Sequence, residues 1–108
     1  MIKIWVDDER PAPEGYMFEC KTVWETIMAI VVSSYSTDHE DIMLDLDHDA
    51  GEYSRYGGDY INILNFLEYI DQRAEGDDQI LVHLHSANPV GVKNMRQVIK
   101  SCPYLKEV

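Results

Sequence analysis

Short apolar runs that alternate with helix-spaced segments are the feature of this sequence that most limits its fold. Runs with the length and β-branched content of buried strands occur at 2–6, 41–47 and 79–86. The segment 17–21 could add a brief further strand. Strands that alternate with helices pair in parallel, so the pattern predicts an open α/β fold with a mostly parallel sheet of four or five strands. We expect one domain over residues 1–108.

Caps and apolar spacing predict three helices. Thr22 and Glu25 fit a capping box at the start of the first helix. Its apolar residues at helical spacing are Trp24, Ile27, Met28, Val31 and Tyr35. Asp59 caps the second helix, which we expect to end at Gly76. The inward stripe of this helix is predicted to be Tyr60, Ile63, Leu64, Leu67, Ile70 and Ala74.

The third helix begins where Asn88 supplies a cap before Pro89. It continues with an apolar face formed by Val92, Met95 and Ile99. Two prolines and a glycine predict a loop at 9–16, so we expect little helix between the first two strands. The tail 103–108 is either a short edge strand or a surface segment.

Charge and composition exclude several classes of function. The net charge of −11, with nine scattered lysines and arginines, disfavours binding to a long nucleic-acid backbone. A nucleotide ligand should therefore be small, or a chain end, with its charge met by a metal. No apolar run reaches roughly 18 residues, so no membrane span is expected, and the N-terminus does not resemble a signal peptide. Two distant cysteines, Cys20 and Cys102, do not make a disulfide framework, and a cytoplasmic location is the default expectation.

Polar residues follow the strands of the predicted sheet at the points where the strands end. They occupy 7–8 after the first strand, 47–49 after the third and 85–88 after the fourth. Parallel strands bring their carboxyl ends to one edge of the sheet, and ligands of open α/β folds bind at that edge. We therefore expect these three clusters to form one site.

Asp7, Asp8 and Asp47 are the predicted metal ligands. Carboxylates that lie close together repel one another, and a cation among them relieves the repulsion. Their oxygen donors suit Mg²⁺ or Mn²⁺, whereas the simpler interpretation is a loop of solvated acids. An EF-hand is excluded, because the loop that starts at Asp45 has its glycine one place late and Tyr56 where the bidentate glutamate should stand.

The other polar residues at this edge suit a phosphate and its chemistry. Ser86 and the start of the third helix at Asn88 would hold an anion. Asp45 either supports the site or faces a helix as a polar residue. His83 and His85 share one side of their strand. We expect His83 to be a hydrogen-bonded core residue and His85 to take part in function.

Three separated motifs together resemble a known family. An acidic pair after the first strand, Asp47 after the third and Ser86-Ala87 after the fourth resemble the receiver domain of two-component signalling. More narrowly, the stretches DDERPAPEGY, LDHDAG and HSANPVGVKNM resemble the cyclic-phosphate-processing receiver-like family, from the N-terminus to about residue 96. The resemblance implies a receiver-like (flavodoxin-like) three-layer α/β sandwich with a reduced first helix.

The resemblance also implies roles for individual residues. Asp7 and Asp8 match the metal-coordinating acidic pair, and Asp47 matches the phosphoacceptor. Ser86 matches the hydroxyl that contacts the phosphoryl group. The receiver's lysine after the fifth strand has Lys106 as its only candidate. The residues that match the narrower family and not ordinary receivers are His48, Asp49 and His85.

Two hypotheses about function follow. The first is metal-dependent, phosphoesterase-like processing of a cyclic phosphate on a nucleotide or an RNA end, with Mg²⁺ or Mn²⁺ as cofactor. In this hypothesis His48 or His85 acts as general acid or base, and Asp49 orients His48. Asp47 either holds the metal or attacks phosphorus directly. The second hypothesis is a non-enzymatic, degenerate receiver that binds a phosphorylated ligand or partner, and a further alternative is an acidic edge that mimics nucleic acid.

Overall fold

The computed structural model describes residues 1–35, 41–71 and 79–108. Its strands are β1 (Ile2–Val6), β2 (Phe18–Cys20), β3 (Ile42–Leu46), β4 (Ile80–Leu84) and β5 (Leu105–Glu107). Its helices are α1 (Val23–Ser34), α2 (Ile61–Asp71) and α3 (Pro89–Ser101), and a 3-10 helix spans Gly51–Arg55. Of the two alternatives for the tail 103–108, an edge strand or a surface segment, the structure therefore shows the edge strand, β5.

The strands pair in parallel in the order β2-β1-β3-β4-β5. This is the flavodoxin-like order, and the predicted receiver-like α/β fold is confirmed. From β1 the chain goes to β2 on one side, and it then returns to β3 on the other side of β1. The carboxyl ends of β1 and β3 therefore flank the topological switch point, where open α/β sheets bind their ligands.

The helices of the described chain lie on one face of the sheet. α1 packs against α2, and α2 packs against α3. Every second strand residue points toward these helices, because side chains alternate along a strand. The strand residues of this core that are fully buried are Ile4, Val6, Leu44, Leu46 and Val82.

The opposite face of the sheet carries an extended segment, residues 7–17, in place of a helix. Met17 donates its backbone N–H to the Lys3 carbonyl at 2.9 Å. The Trp5 indole N–H donates to the Arg10 carbonyl at 2.8 Å. These bonds hold the segment over the strand side chains that point away from the helices. The first helix is thus reduced as predicted, and the third layer of the sandwich consists of this segment.

The cap of α1 lies where the sequence places it, but the buried face of α1 is different from the apolar series read in the sequence. Thr22 Oγ accepts the Glu25 backbone N–H at 3.0 Å. Of the apolar series, Ile27 alone is buried, whereas Trp24, Met28, Val31 and Tyr35 are exposed. The helix is apolar around most of its circumference, so spacing does not identify which side meets the sheet. The side that does so carries Val23, Thr26, Ile27, Ala29, Ile30 and Ser33.

The stripes of the other two helices are largely as predicted. In α2, the buried residues include Ile63, Leu64 and Leu67, with Tyr60 just before the helix. Ile70 is 38% exposed, against prediction, since it lies near the helix end. Ala74 and Gly76 lie outside the described residues. In α3, Met95 and Ile99 are buried. None of the described helices has the length and apolar character needed to cross a membrane.

Two alanine substitutions on neighbouring sides of α1 test which side is buried. Ile30→Ala should lower the free energy of unfolding by about 3 kcal/mol, because it removes a side chain that is 4% exposed. Met28→Ala should change it by no more than about 0.5 kcal/mol, because Met28 is 60% exposed. Urea unfolding followed by circular dichroism measures both, and equal losses would contradict the observed orientation of α1.

Candidate active site

Backbone hydrogen bonds between neighbouring strands continue one residue beyond the strand ends and fix the position of the site residues. The backbone N–H of Asp47 donates to β1 at 2.9 Å, and that of His85 donates to β3 at 2.9 Å. The N–H of Asp7 donates to β2 at 3.2 Å. The first polar residue after each of these strands is therefore held beside its neighbour at the carboxyl edge of the sheet.

The acids at this edge converge. Asp7, Asp8 and Asp47 each offer an oxygen within 4.8 Å of the others, a group that could hold a metal ion. Asp7 and Asp47 are buried, with Asp7 only 1% exposed, and Asp8 is partly buried. The structure thus brings together the acids that the strand ends predicted as metal ligands. We call these three residues the acid pocket.

Asp7 accepts four hydrogen bonds. Its Oδ1 accepts the backbone N–H groups of Glu9 at 2.8 Å and Arg10 at 2.9 Å. Its Oδ2 accepts from Arg10 Nε at 2.9 Å and from His85 Nε2 at 2.9 Å. Burial alone would raise the pKa of Asp7, but the backbone hydrogen bonds, His85 and the Arg10 charge hold that pKa below its ordinary value. Asp7 is therefore an ionised carboxylate fixed from four sides.

Asp8 is held differently, by close contact with a glycine. Burial is the main cause that raises the pKa of Asp8, and the charges of Glu9, Asp7 and Asp47 add to it. Gly51 has φ +57°, and a Cβ at this position would lie 2.5 Å from Asp8 Oδ2. Glycine is required here for both reasons, since it tolerates the left-handed conformation and leaves room for the carboxylate. The loop after β3 thus sets the position of Asp8.

His85 lies between two carboxylates. Its Nδ1 contacts Asp45 Oδ1 at 2.5 Å, and its Nε2 contacts Asp7 Oδ2 at 2.9 Å. Its ring stacks on Trp5, with centroids 4.1 Å apart and planes 3° apart. Burial would lower the pKa of His85, but the hydrogen bonds and charges of Asp45 and Asp7 raise it above its ordinary value. His85 accordingly links the sheet face to the acid pocket, with a carboxylate at each of its ring nitrogens.

Asp45 supports the site, and the alternative that it faces a helix is wrong. It is buried on the face opposite the helices, where the Tyr16 hydroxyl donates to Asp45 Oδ2 at 2.5 Å. Burial and the neighbouring Asp45 charge raise the pKa of Tyr16 to about 12, so Tyr16 remains a donor at neutral pH. Sequence reasoning did not single out Tyr16. Its signal was weak, because it stands in a loop and meets Asp45 only through the fold.

Arg10 is the second residue of the site that sequence reasoning missed. Its Nε contacts Asp7 as described, and its Nη2 lies 3.6 Å from Asp47 Oδ2. Nη2 also donates to the His85 carbonyl at 3.3 Å. Lys21 approaches the pocket as well, but its ammonium donates to the backbone carbonyl of Asp8 at 3.3 Å and not to a carboxylate. The sequence signal that could have identified Arg10 was its place at the end of DDER, two residues after the acidic pair.

His48 and Asp49 form a pair beside the acid pocket. His48 Nδ1 contacts Asp49 Oδ1 at 2.7 Å, and Asn88 Nδ2 donates to the same oxygen at 3.2 Å. The hydrogen bond from His48 is the main cause that lowers the pKa of Asp49. The His48 ring lies against Gly91 in the first turn of α3, where any larger residue would overlap it. The contact with Asp49 leaves His48 Nε2 as the ring nitrogen that can meet a ligand. His48, Asp49 and Asp59 also form a second group with the spacing of metal ligands.

Ser86 and Asn88 shape the loop that leads into α3. Ser86 Oγ accepts the Asn88 backbone N–H at 3.1 Å, so the Ser86 hydroxyl hydrogen can still donate. Asn88 Oδ1 accepts the Gly91 N–H at 3.0 Å and caps the helix. The Asn88 side chain is therefore used by the cap and by Asp49.

Two sequence expectations about basic residues are corrected. His83 is exposed and not in the core, because it lies on β4 beside the short edge strand, where its Nδ1 contacts the Val108 carbonyl at 3.0 Å. Lys106 pairs in register with Leu81, at the opposite end of β4 from His85. It therefore does not take the place of the receiver's lysine at the acid pocket.

His85 makes the stability of the metal-free protein depend on pH. Its pKa is higher in the folded chain than the ordinary value of about 6.5, so its stabilising contribution is complete below that value. The contribution declines as the pH rises through the folded-state pKa. We expect urea unfolding in EDTA to show a loss of stability as the pH rises above about 6.5, and this loss should be smaller in His85→Gln. The matched control is His83→Gln, which should keep the wild-type decline, and an unchanged decline in His85→Gln would contradict the prediction.

One of the comparisons with known proteins produced a match. The family model of the cyclic-phosphate processing receiver domain matches residues 2–101, which include all the site residues described above. Comparison with curated proteins and with solved structures produced no match. The matched range covers most of the chain, and the resemblance read from the three motifs is confirmed. The chain belongs to the cyclic-phosphate processing receiver domain family.

Proposed function

We propose that this protein is a divalent-metal-dependent phosphoesterase that acts on the cyclic phosphate of a small nucleotide or an RNA end. The observation that carries the proposal is the convergence of Asp7, Asp8 and Asp47 within 4.8 Å beside the His48–Asp49 pair. Membership of a cyclic-phosphate processing family supports the substrate class. The net charge of −11 favours a small ligand over a long nucleic acid.

The acid pocket fits a hard divalent cation. Its donors are carboxylate oxygens, the ligands that Mg²⁺ and Mn²⁺ prefer. Two side chains, Arg10 and His85, make ion pairs with Asp7, Asp47 and Asp45. When Asp8 is added, the carboxylates at this edge outnumber these two partners. When bound, the metal would polarise a phosphoryl oxygen and offset the charge that develops on it.

The residues around the pocket would hold the phosphate and move a proton. The Ser86 hydroxyl and the start of α3 would donate to phosphoryl oxygens. Water adds to phosphorus, one phosphorus–oxygen bond to the sugar breaks, and the released sugar oxygen takes a proton. His48 Nε2 would accept the proton of the water, while Asp49 holds the ring by Nδ1. His85 would position Asp7 and not transfer the proton, because both of its ring nitrogens contact carboxylates.

A panel of cyclic nucleotides tests the proposed activity. Wild-type protein with Mg²⁺ or Mn²⁺ should convert a 2',3'- or 3',5'-cyclic nucleotide to a phosphomonoester, measured by chromatography. His48→Ala should lower the rate roughly 100-fold or more while it leaves metal binding intact, because general acid–base catalysis contributes at least that much. Asp47→Asn should lose both activity and metal binding. His83→Ala is the matched control and should keep the wild-type rate, since His83 is exposed and its ring contacts the Val108 carbonyl and not the acid pocket.

A second function is favoured by the position of Asp47. It follows β3 directly, as the phosphoacceptor of a receiver does, so a phosphate-binding receiver without turnover is the alternative. No turnover on the whole panel, together with labelling of Asp47 by acetyl phosphate, would contradict the phosphoesterase and support this alternative.

Gly51 provides a test of the metal site that does not depend on turnover. Gly51→Ala should weaken Mn²⁺ binding roughly tenfold, because the added Cβ displaces the Asp8 carboxylate. Gly15→Ala is the matched control, since Gly15 also has a positive φ, of +96°, but an added Cβ would contact nothing within 4 Å. Titration calorimetry measures both affinities. Equal losses in the two variants would show that backbone strain, and not the Asp8 contact, is responsible.

A further inference from the structure

We propose that Arg10 is an exchangeable internal cation of the acid pocket. In the metal-free protein its guanidinium neutralises Asp7 and Asp47. When a divalent cation occupies the pocket, the guanidinium leaves Asp7 and binds the phosphate of the ligand. This inference rests on the proposed function for its metal and its phosphate, and on the described contacts for the choice of Arg10.

The first step concerns the capacity of Asp7. An ionised carboxylate has about four lone-pair positions for hydrogen bonds. Asp7 uses all of them, since it accepts from two backbone N–H groups, from Arg10 Nε and from His85 Nε2. Asp7 can therefore become a metal ligand only if one of these four partners leaves.

The second step identifies the partner that leaves. The two backbone N–H groups are fixed by the turn after β1. His85 is almost enclosed, stacked on Trp5 and bonded at its other nitrogen to Asp45. The Arg10 side chain is 52% exposed and reaches the pocket through a long flexible stem. The Asp7 end of this ion pair is buried, but the Arg10 head can return to solvent while a cation replaces its charge beside Asp7, so Arg10 is the partner that a metal displaces.

The third step concerns where the displaced guanidinium goes. Arg10 Nη2 already donates to the His85 carbonyl at 3.3 Å, which places its head next to Ser86 at the start of the loop into α3. This is the loop whose hydroxyl and helix start would hold a phosphate. The planar guanidinium fork matches two phosphate oxygens at once. Lys106, the counterpart that the family resemblance offered for the receiver's lysine, lies at the far end of β4.

One substitution should therefore have opposite effects on two ligands. In Arg10→Met, Mn²⁺ should bind roughly fivefold to tenfold more tightly, because no guanidinium competes for the acids. Inorganic phosphate, titrated in saturating Mn²⁺, should bind roughly tenfold more weakly, because the fork is gone. Titration calorimetry of the full chain measures both, and thermal unfolding checks that the variant is folded. If Arg10→Met does not fold, Arg10→Gln should show both changes in the same directions, since glutamine also lacks the charge and the guanidinium fork.

Arg96→Met is the matched control. The Arg96 side chain is 51% exposed, and its Nε contacts Glu107 at 3.0 Å on β5, so its loss removes the same charge from an ion pair away from the pocket. Both affinities should stay within about twofold of wild type.

The outcomes separate this inference from the proposed function. Wild-type binding of Mn²⁺ with no gain in Arg10→Met overturns the exchange and leaves the metal site standing. Tighter Mn²⁺ with unchanged phosphate binding overturns the transfer to phosphate. If wild type binds no Mn²⁺ but Arg10→Met does, Arg10 is a permanent occupant, and both the exchange and the metal-dependent function are overturned. If neither binds Mn²⁺, the same two proposals fail.

Discussion

The in-register parallel pairing of β1, β3 and β4 is the constraint on which the site depends. Each strand continues its backbone pairing for one further residue, and that residue is Asp7, Asp47 or His85. Side chains at equivalent positions of neighbouring parallel strands are close together, since strands lie about 4.8 Å apart. A shift of one residue in β3 would turn Asp47 to the opposite face and separate it from the other acids. The chemistry of this edge therefore follows from the register of the central strands.

The charges at this edge would be costly without the network that connects them. A buried unpaired carboxylate is strongly destabilising, and removal of one member of a buried ion pair leaves the other uncompensated. Here a continuous row of hydrogen bonds runs from the sheet face opposite the helices to the acid pocket, through Tyr16, Asp45, His85 and Asp7. Trp5 closes one side of the row by stacking on the imidazole. The described chain has no buried side-chain nitrogen or oxygen without a partner, so the network is complete.

The way the second face of the sheet is covered explains how such a network can exist in this fold. Where a helix would present an apolar stripe, this chain places the extended segment 7–17, which brings the Arg10 carbonyl and the Tyr16 hydroxyl over the sheet. Polar strand residues such as Asp45 can then be buried on that face and still find partners. The same segment carries the Arg10 guanidinium to the pocket. The reduced first helix and the polar character of the site are thus parts of one arrangement.

Much of this fold could be predicted from the sequence, because strands and caps are local. The apolar runs gave β1, β3 and β4 within a residue or two, and Thr22 and Asn88 marked two helix starts correctly. The convergence of Asp7, Asp8 and Asp47 was also predictable, since parallel strands must deliver their ends to one edge. The buried side of α1 was not, because a helix that is apolar nearly all round has no distinctive stripe.

What the sequence determined by itself is the set of elements and the acids at their ends, both of which depend on residues near one another in the chain. Only the tertiary structure decided which of those acids would be paired, and with what. Asp45 meets Tyr16 and His85 across 29 and 40 positions of sequence, and Asp7 meets His85 across 78. Hydrogen bonds of this kind depend on strand order, register and the path of a loop over the sheet. No local pattern of residues records them.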